Sequence, residues 1–237
     1  KNLMFHPLTG VTGVFGEPML GHEGPMACSI LSQEFYETDS TRDFVRGYGL
    51  HSGRSTTPMT YALGGYGIDN PIPWGAEHRE IMDNIYPYLA GLTIVSEDLP
   101  EQHNCVTLDP DLTDSDGIPA PKITYRLGGN TRKMLRHGEE QAKEILLAAG
   151  AKKVLSKNDD KVWWRAGWHQ MGTCRMGNDP SNSVVNSWGR SHDVKNLFIV
   201  DGSIFVTAGA VNPTSTIQAL ALYIGDQIKN NIQTLFD

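Results

Sequence analysis

The spacing of apolar residues predicts two long helices, one in the middle of the chain and one near its end. The first is predicted over Thr131–Ala149, with Asn130 or Thr131 as its cap and Gly150 at its close. Its apolar stripe is predicted to consist of Leu135, Ala142, Ile145, Leu146 and Ala149. The second helix is predicted from Pro213 to about Ile228.

Between and before these helices, short apolar runs predict strands. Asn104–Leu108 and Lys122–Leu127 alternate and flank a stretch rich in Asp, Pro and Gly, which is the pattern of a hairpin. Further strands are predicted over Leu92–Glu97, Val162–Trp168 and Asn196–Val200, the last with the composition of a buried strand.

The remaining pattern is weaker. Trp74–Ile85 predicts a short helix. Residues 1–55 are weakly periodic and rich in Gly and Pro, which indicates strand pieces and irregular surface structure, or a lid over a site. The order of all these elements predicts an α+β (mixed α/β) fold, in which an antiparallel sheet combines with helices.

Composition narrows the class of protein without identifying a function. The chain has 237 residues, 39% hydrophobic and 20% charged, as expected for a globular protein of one large or two small domains. A net charge of −7 argues against nucleic acid as a partner, because phosphate binding needs a basic face. The scattered Cys28, Cys105 and Cys174 indicate neither a metal site nor a disulfide framework, and leave the compartment, periplasmic or cytoplasmic, undetermined.

No complete dinucleotide-binding unit can be found in the sequence. Such a unit needs G-x-G-x-x-G between a strand and a helix. Residues 63–69, LGGYGID, lack the third glycine, and residues 10–16, GVTGVFG, have the wrong spacing.

The start of the closing helix has the chemistry of an anion-stabilising site. Asn212 is a good N-cap residue, and Pro213 suits the first helical position. The amide groups of Thr214, Ser215 and Thr216 then lack acceptors within the helix and carry the positive end of its dipole. Taken alone, an ordinary helix cap explains the same residues.

Two further segments carry polar residues at the ends of predicted strands. His169 lies in WHQMGTCRMG, between a strand and a glycine turn, where an imidazole can face a cleft. Asp201 and Gly202 follow the apolar run in NLFIVDGSIF, a common position for groups that hold a cofactor. A structural histidine and an ordinary turn are the alternatives.

In this order and spacing, three segments together resemble the C-terminal half of the glucose–methanol–choline (GMC) flavin oxidoreductases: WHQMGTCRMG, NLFIVDGSIF and AGAVNPTSTIQALALYIGDQI. The resemblance is closest to bacterial sugar and gluconate-type dehydrogenases. KNLMFHP at the start also resembles the sequence that follows the N-terminal FAD-binding half of that family. The resemblance is strong from about Lys161 onward and loose over Phe15–Trp74.

This resemblance implies an FAD enzyme that oxidises a CH–OH group of a sugar, polyol or other alcohol, with hydride passing to flavin N5. It implies that His169 is the base and that Asn212 is its uncharged partner at the substrate oxygen. An unperturbed histidine titrates at pH ~6.5, so activity is expected to rise through that range. Asp201 and Gly202 are expected to hold the FAD ribityl or pyrophosphate, and Pro213 and Thr214 to face the flavin pyrimidine edge.

The resemblance also implies how function is divided along the chain. Residues 1–160 are expected to be mainly the substrate-binding domain with a lid-like N-terminal segment. Residues 161–237 are expected to be the C-terminal part of the FAD-binding domain. The N-terminal dinucleotide-binding half is absent from this chain, so a separate chain or a missing segment is the expected partner, and this chain alone is expected not to hold FAD tightly. An electron-acceptor protein is a further possible partner, and no metal site is expected.

Two alternatives stay open at this point. Some relatives of this fold bind FAD and cleave hydroxynitriles without redox turnover, and His169 can serve as a base there too. A non-catalytic subunit of a split flavoprotein is the other alternative, although the presence of both His169 and Asn212 argues against it. The sequence identifies neither the alcohol oxidised nor the electron acceptor.

Overall fold

A computed structural model describes residues 1–23, 30–53, 57–63, 72–155, 168–233 and 235. The chain divides into two compact units, each assembled from separated segments. Unit 1 contains Lys1–Pro7, Glu97–Thr131 and Ala166–Asp237, and unit 2 contains Leu8–Ser96 and Arg132–Arg165. Antiparallel strands combine with helices, which confirms the predicted α+β class.

The described elements include seven strands and four α-helices. The strands are β1 (Leu8–Val14), β2 (Leu31–Ser32), β3 (Tyr48–Gly53), β4 (Leu89–Ser96), β5 (Cys105–Thr113), β6 (Pro119–Thr124) and β7 (Lys153–Leu155). The helices are α1 (Pro58–Ala62), α2 (Ala76–Asn84), α3 (Gly129–Ala148) and α4 (Thr214–Asn230). None of the helices in the described part of the chain has the length and apolar character needed to cross a membrane.

Unit 2 is built on a five-stranded antiparallel sheet with the order β2-β3-β4-β1-β7. Strand β1 pairs with β4 along its whole length, from Leu8 opposite Val95 to Val14 opposite Leu89. Its alternate residues Thr9, Val11 and Gly13 are buried, because a strand presents every second side chain to the same face. The strand pieces expected at the start of the chain are therefore confirmed by β1, which belongs to a sheet and is not irregular surface structure.

Helix α3 packs on this sheet through a narrower stripe than the one predicted. Leu135, Ala142 and Leu146 are buried as expected, whereas Ile145 is 41% exposed and Ala149 lies beyond the end of the helix. Met134 and Gly138 complete the buried face instead. A Cβ on Gly138 would lie 2.8 Å from the Ile94 side chain, so glycine permits the close approach of α3 to β4.

The ends of α3 show one error and one agreement with the prediction. The helix begins at Gly129, so neither Asn130 nor Thr131 is its cap. The Thr131 hydroxyl instead donates a hydrogen bond to Asp98 Oδ1 at 3.1 Å. Gly150 follows the last turn with φ of +98°, the left-handed conformation that ends helices.

Unit 1 contains the predicted hairpin and the closing helix. Strands β5 and β6 pair from Cys105 opposite Thr124, with an irregularity between Leu108 and Thr113. In α4, Ile224 is 1% exposed and packs with Val185 and Ile204.

The other predicted strands have different outcomes. Asn196–Val200 is not a strand: Phe198 forms a single bridge to Arg190, and Leu197 and Val200 are exposed. Its apolar composition indicated burial, but the described residues supply no neighbouring strand to pair with it. Of the predicted strand Val162–Trp168, all but Trp168 lies outside the described residues.

Candidate active site

The residues before β1 lie in the core of unit 1 and pair with the segment around His169. Met4 and Met171 form an antiparallel bridge, with N···O distances of 2.9 Å and 3.0 Å in the two directions. Both side chains are buried and pack against Ala208. The bridge therefore fixes the backbone two residues away from each of His6 and His169.

His169 contacts a second histidine through its ring. His169 Nδ1 lies 2.8 Å from Nδ1 of His6, and the two rings meet edge to face with centroids 4.8 Å apart. His6 is completely buried, and His169 is partly buried. Burial lowers the pKa of His169 below the ordinary value of 6.5, because the protonated ring loses solvation. The neutral form is therefore favoured near neutral pH.

The backbone at His169 is strained. Its φ of +60° lies in the left-handed region, which only a few per cent of non-glycine residues adopt, although asparagine, aspartate and histidine do so more often than the others. Such a conformation costs about 1–3 kcal/mol and persists only where surrounding contacts enforce it. The Met4–Met171 bridge and the ring contact with His6 are such contacts.

Asp98 anchors the segment that carries His6. The Asp98 carboxylate accepts hydrogen bonds from the Phe5 amide at 3.4 Å and the Tyr125 hydroxyl at 2.7 Å, besides the one from Thr131. The Tyr125 ring also packs edge to face on Phe5, with centroids 4.8 Å apart. Burial raises the pKa of Asp98, and these hydrogen bonds oppose that shift by stabilising the ionised form.

Two glycines join the His169 segment to the predicted cofactor motif. Gly172 donates its amide to the carbonyl oxygen of Gly202 at 3.3 Å. A Cβ on Gly202 would lie 2.8 Å from the Gln170 carbonyl oxygen, and one on Gly172 would lie 2.3 Å from the Asn2 carbonyl oxygen. Only a residue without a side chain permits these approaches.

Asp201 and Gly202 stand at the start of a short 3-10 helix, Gly202–Ile204. Asp201 caps this helix: its Oδ1 accepts a hydrogen bond from the Ser203 amide at 2.8 Å. The residue is exposed and Gly202 is buried. An exposed aspartate thus lies next to the glycine that meets the His169 segment.

The start of α4 differs from the prediction by one residue. Pro213 is the N-cap, Thr214 is the first helical residue, and no side chain caps the helix. Asn212 is therefore not the cap, because its side chain accepts no hydrogen bond from the amides of the first turn. The side chain of Asn212 is exposed, as is that of Thr214, whereas Pro213 is buried.

The segments that carry the predicted residues are neighbours in unit 1. Ala208, shortly before α4, packs on the Met4–Met171 pair, and the first turn of α4 reaches Gly202, where a Cβ would lie 3.3 Å from Ile217. A direct approach of the His169 ring to the Asn212 carboxamide stays a prediction.

Sequence reasoning missed His6 and Asp98. His6 lies within KNLMFHP, and its partner is 163 positions away. No local spacing indicates such a pair; the signal present was the polar residue inside a short apolar run. Asp98 likewise follows the buried strand β4, and its partners Phe5, Tyr125 and Thr131 come from distant segments.

A family model and the relatives found by comparison all describe oxidoreductases. A family model described as GMC oxidoreductase matches residues 100–221. A 2-methyl-1,2-propanediol dehydrogenase from Mycolicibacterium austroafricanum is 41% identical, over 100% of this chain and 43% of that protein. The fructose dehydrogenase large subunit from Gluconobacter japonicus is 29% identical, over 98% of this chain and 41% of that protein.

A solved structure shares the fold. Pyridoxine 4-oxidase from Mesorbium loti superimposes with a TM-score of 0.66 at 20% identity, over 97% of this chain and 43% of that chain. The present chain thus spans about two fifths of the length of the relatives it matches.

Proposed function

Because this chain belongs to the GMC oxidoreductase family, we propose that it is part of an FAD-dependent enzyme that oxidises a CH–OH group. The substrate is a small alcohol, polyol or sugar, the class to which the diol dehydrogenase and the fructose dehydrogenase point by name. The observation that carries the proposal is the hydrogen bond between His169 and His6, which holds an imidazole in a fixed orientation beside the Gly202 turn.

The residues present fit an FAD site. Gly202 has no room for a side chain, Ala208 and Ala210 are small and buried, and Asp201, next to Gly202 in the chain, is exposed. Asp201 and Gly202 would hold the ribityl or pyrophosphate part, and the backbone of Asn212, Pro213 and Thr214 would face the flavin pyrimidine edge. FAD, when bound, supplies the hydride acceptor at flavin N5.

The first turn of α4 supports this arrangement electrostatically. The amide groups of Thr214, Ser215 and Thr216 have no acceptors within the helix, and the side chains of all three are exposed. The helix dipole adds about half a positive charge at this end. Donors placed there before the reaction stabilise negative charge that develops next to them without reorganising.

His169 and Asn212 would manage the proton of the substrate hydroxyl. His169 Nδ1 is already bonded to His6, so Nε2 is the ring nitrogen that meets the hydroxyl and takes its proton. Because its pKa is lowered, His169 is neutral and ready to accept a proton near neutral pH. Asn212 would orient the substrate oxygen, since a carboxamide both donates and accepts hydrogen bonds without changing charge.

The proposed enzyme needs more polypeptide than this chain. We assign mainly substrate binding to residues 1–160 and the C-terminal part of the FAD domain to residues 161–237, and we propose that an N-terminal half, on the same or another chain, completes that domain. The second region exposes apolar side chains that such a half would cover: Leu197, Val200, Val206, Leu222 and Tyr223. An electron-acceptor protein fits the same scheme, since one relative is named as a large subunit.

Substituting Leu222→Glu in the flavin-containing enzyme tests this surface. Leu222 is 75% exposed here, and covering a leucine contributes about 1.5–3 kcal/mol, so the charge is expected to lower the flavin-to-protein ratio about tenfold or more. The measurement is the absorbance ratio after gel filtration. Leu147→Glu, at a 54% exposed leucine on α3, is the matched control and should retain flavin. Equal retention in both variants would contradict the assignment.

The proposed activity is tested by anaerobic mixing of the purified holoenzyme with diols, primary alcohols and sugars. Transfer of a hydride to FAD is expected to bleach the oxidised flavin band fully with at least one of these substrates. The stopped-flow absorbance trace gives the rate of reduction. Product formation with unchanged flavin absorbance would instead indicate a lyase, and a preparation that never contains flavin would contradict the proposal altogether.

A further inference from the structure

His6 and His169 share a single proton between their facing nitrogens. The two Nδ1 atoms are 2.8 Å apart, a hydrogen-bond distance, and one of them must donate while the other accepts. Two arrangements are possible. If His169 donates, its Nε2 carries a lone pair; if His6 donates, His169 Nε2 carries a hydrogen and accepts no proton.

We propose that His6 is a positioning residue that accepts the Nδ1–H of His169 and thereby fixes the tautomer in which His169 Nε2 is the base. This inference rests on the proposed oxidation of a CH–OH group. It assigns a role in the reaction to His6, which lies 163 positions from His169 in the sequence. The orientation of a base is set by the hydrogen bond on its other ring nitrogen.

His6 is suited to this role because its own position is fixed from both sides. On one side, the Phe5 amide is bound by Asp98 and the Phe5 ring is packed by Tyr125. At the backbone, the His6 amide donates to the Trp168 carbonyl oxygen at 3.5 Å. The side chain is 0% exposed, so the ring has neither solvent nor space in which to turn.

His169 needs this support more than most bases do. Its left-handed φ of +60° places the residue in a conformation that its own backbone does not favour. Contacts made by the side chain help to fix the direction of the ring at such a residue. The edge-to-face contact and hydrogen bond with His6 are those contacts.

The arrangement also limits how much charge the pair can carry. When Nε2 of His169 takes a proton, the imidazolium keeps Nδ1–H, which the neutral His6 still accepts. A second proton on His6 Nδ1 would set two N–H groups against each other, so the hydrogen bond between the rings is compatible with only one added proton. The pKa of His169 is lowered by burial. The acidic group next to the His6 segment is Asp98, whose carboxylate accepts a hydrogen bond from the Phe5 amide.

Two substitutions of His6 separate positioning from packing in the holoenzyme. His6→Phe keeps a ring of similar size and removes the acceptor, whereas His6→Asn retains an acceptor oxygen near the position of Nδ1. We expect His6→Phe to slow flavin reduction roughly 10–100-fold, as losing a group that orients a functional histidine does, and His6→Asn to recover most of that loss. The low-pH limb of the rate profile should shift to lower pH in His6→Phe, because the imidazolium loses its acceptor.

Nitrogen-15 NMR of histidine-labelled enzyme gives a measurement that does not depend on turnover. His169, assigned by its loss in His169→Gln, should show protonated Nδ1 and unprotonated Nε2 in the wild type, and a mixture of tautomers in His6→Phe. A wild-type spectrum with protonated Nε2 would overturn the proposal, whether or not the variants fold. So would equal flavin reduction by wild type and His6→Phe. Unchanged flavin reduction in His169→Gln would instead contradict the proposed function itself.

Discussion

Replacing His169 by asparagine is expected to slow flavin reduction by about 100- to 10,000-fold, the usual contribution of a positioned general base. The same substitution should change the free energy of unfolding by no more than about 1 kcal/mol, because the easier left-handed φ of asparagine, +60° here, offsets the lost contact with His6. Loss of rate without loss of stability is the signature of a residue held in strain for its chemistry.

Stopped-flow flavin reduction and urea unfolding of the holoenzyme measure the two effects together. Leu20→Asn is the matched control, since Leu20 also has a left-handed φ, of +46°, and is 42% exposed. It should gain up to about 1 kcal/mol in the free energy of unfolding and keep the wild-type rate. Undiminished flavin reduction in His169→Asn would remove His169 from the mechanism.

The pH dependence of flavin reduction by the wild type also tests whether His169 is the base. A base must be neutral, so the rate rises with pH through the pKa of His169. Burial lowers that pKa below 6.5, and the rising limb is therefore expected below the pH at which a free histidine titrates. The limb should be missing from the residual activity of His169→Asn.

Gly172→Ala is expected to destabilise the protein by about 2–4 kcal/mol and to lower the rate of flavin reduction about 100-fold. Gly172 has a φ of +89°, and its added Cβ would lie 2.3 Å from the Asn2 carbonyl oxygen and 2.7 Å from the Met4 side chain. Relief of that clash must move the segment before β1 away from the His169 segment. His6 then loses its place beside the base.

Gly150→Ala separates the clash from the backbone strain. Gly150 has a similar φ of +98°, but a Cβ there would meet no atom within 4 Å. The control should therefore lose only about 1–2 kcal/mol, measured by urea unfolding, and retain its rate of flavin reduction. Equal losses of stability in the two variants would show that the Asn2 contact is unimportant.

Helices and strands were predicted correctly from the sequence where a local pattern specifies them. The hairpin of β5 and β6, the end of α3 at Gly150 and the helix beginning near Pro213 all follow from turn residues and periodicity. The predicted strand Asn196–Val200 failed because an apolar run becomes a strand only if another strand pairs with it, and pairing is decided by distant residues.

In the candidate site, too, residues within local motifs were predicted, whereas contacts between distant residues were not. Single motifs pointed to His169, Asp201 and the start of α4, each beside a turn or a helix end that the sequence makes visible. His6 is different, because it acts through one contact across 163 positions, and neither periodicity nor local spacing encodes that distance. The left-handed conformation of His169 was equally hidden, since only a few per cent of non-glycine residues adopt it and the contacts that enforce it come from distant residues.

The path of the chain through the two units has a consequence for folding. Lys1–Pro7 belongs to unit 1, but Leu8–Ser96 builds unit 2 before the chain returns. Met4 and His6 can therefore pair with Met171 and His169 only after the ribosome has synthesised most of the chain. Such long-range closure slows assembly and leaves apolar residues uncovered during synthesis. This protein is accordingly expected to depend on chaperones during synthesis more than a chain whose domains follow one another in sequence.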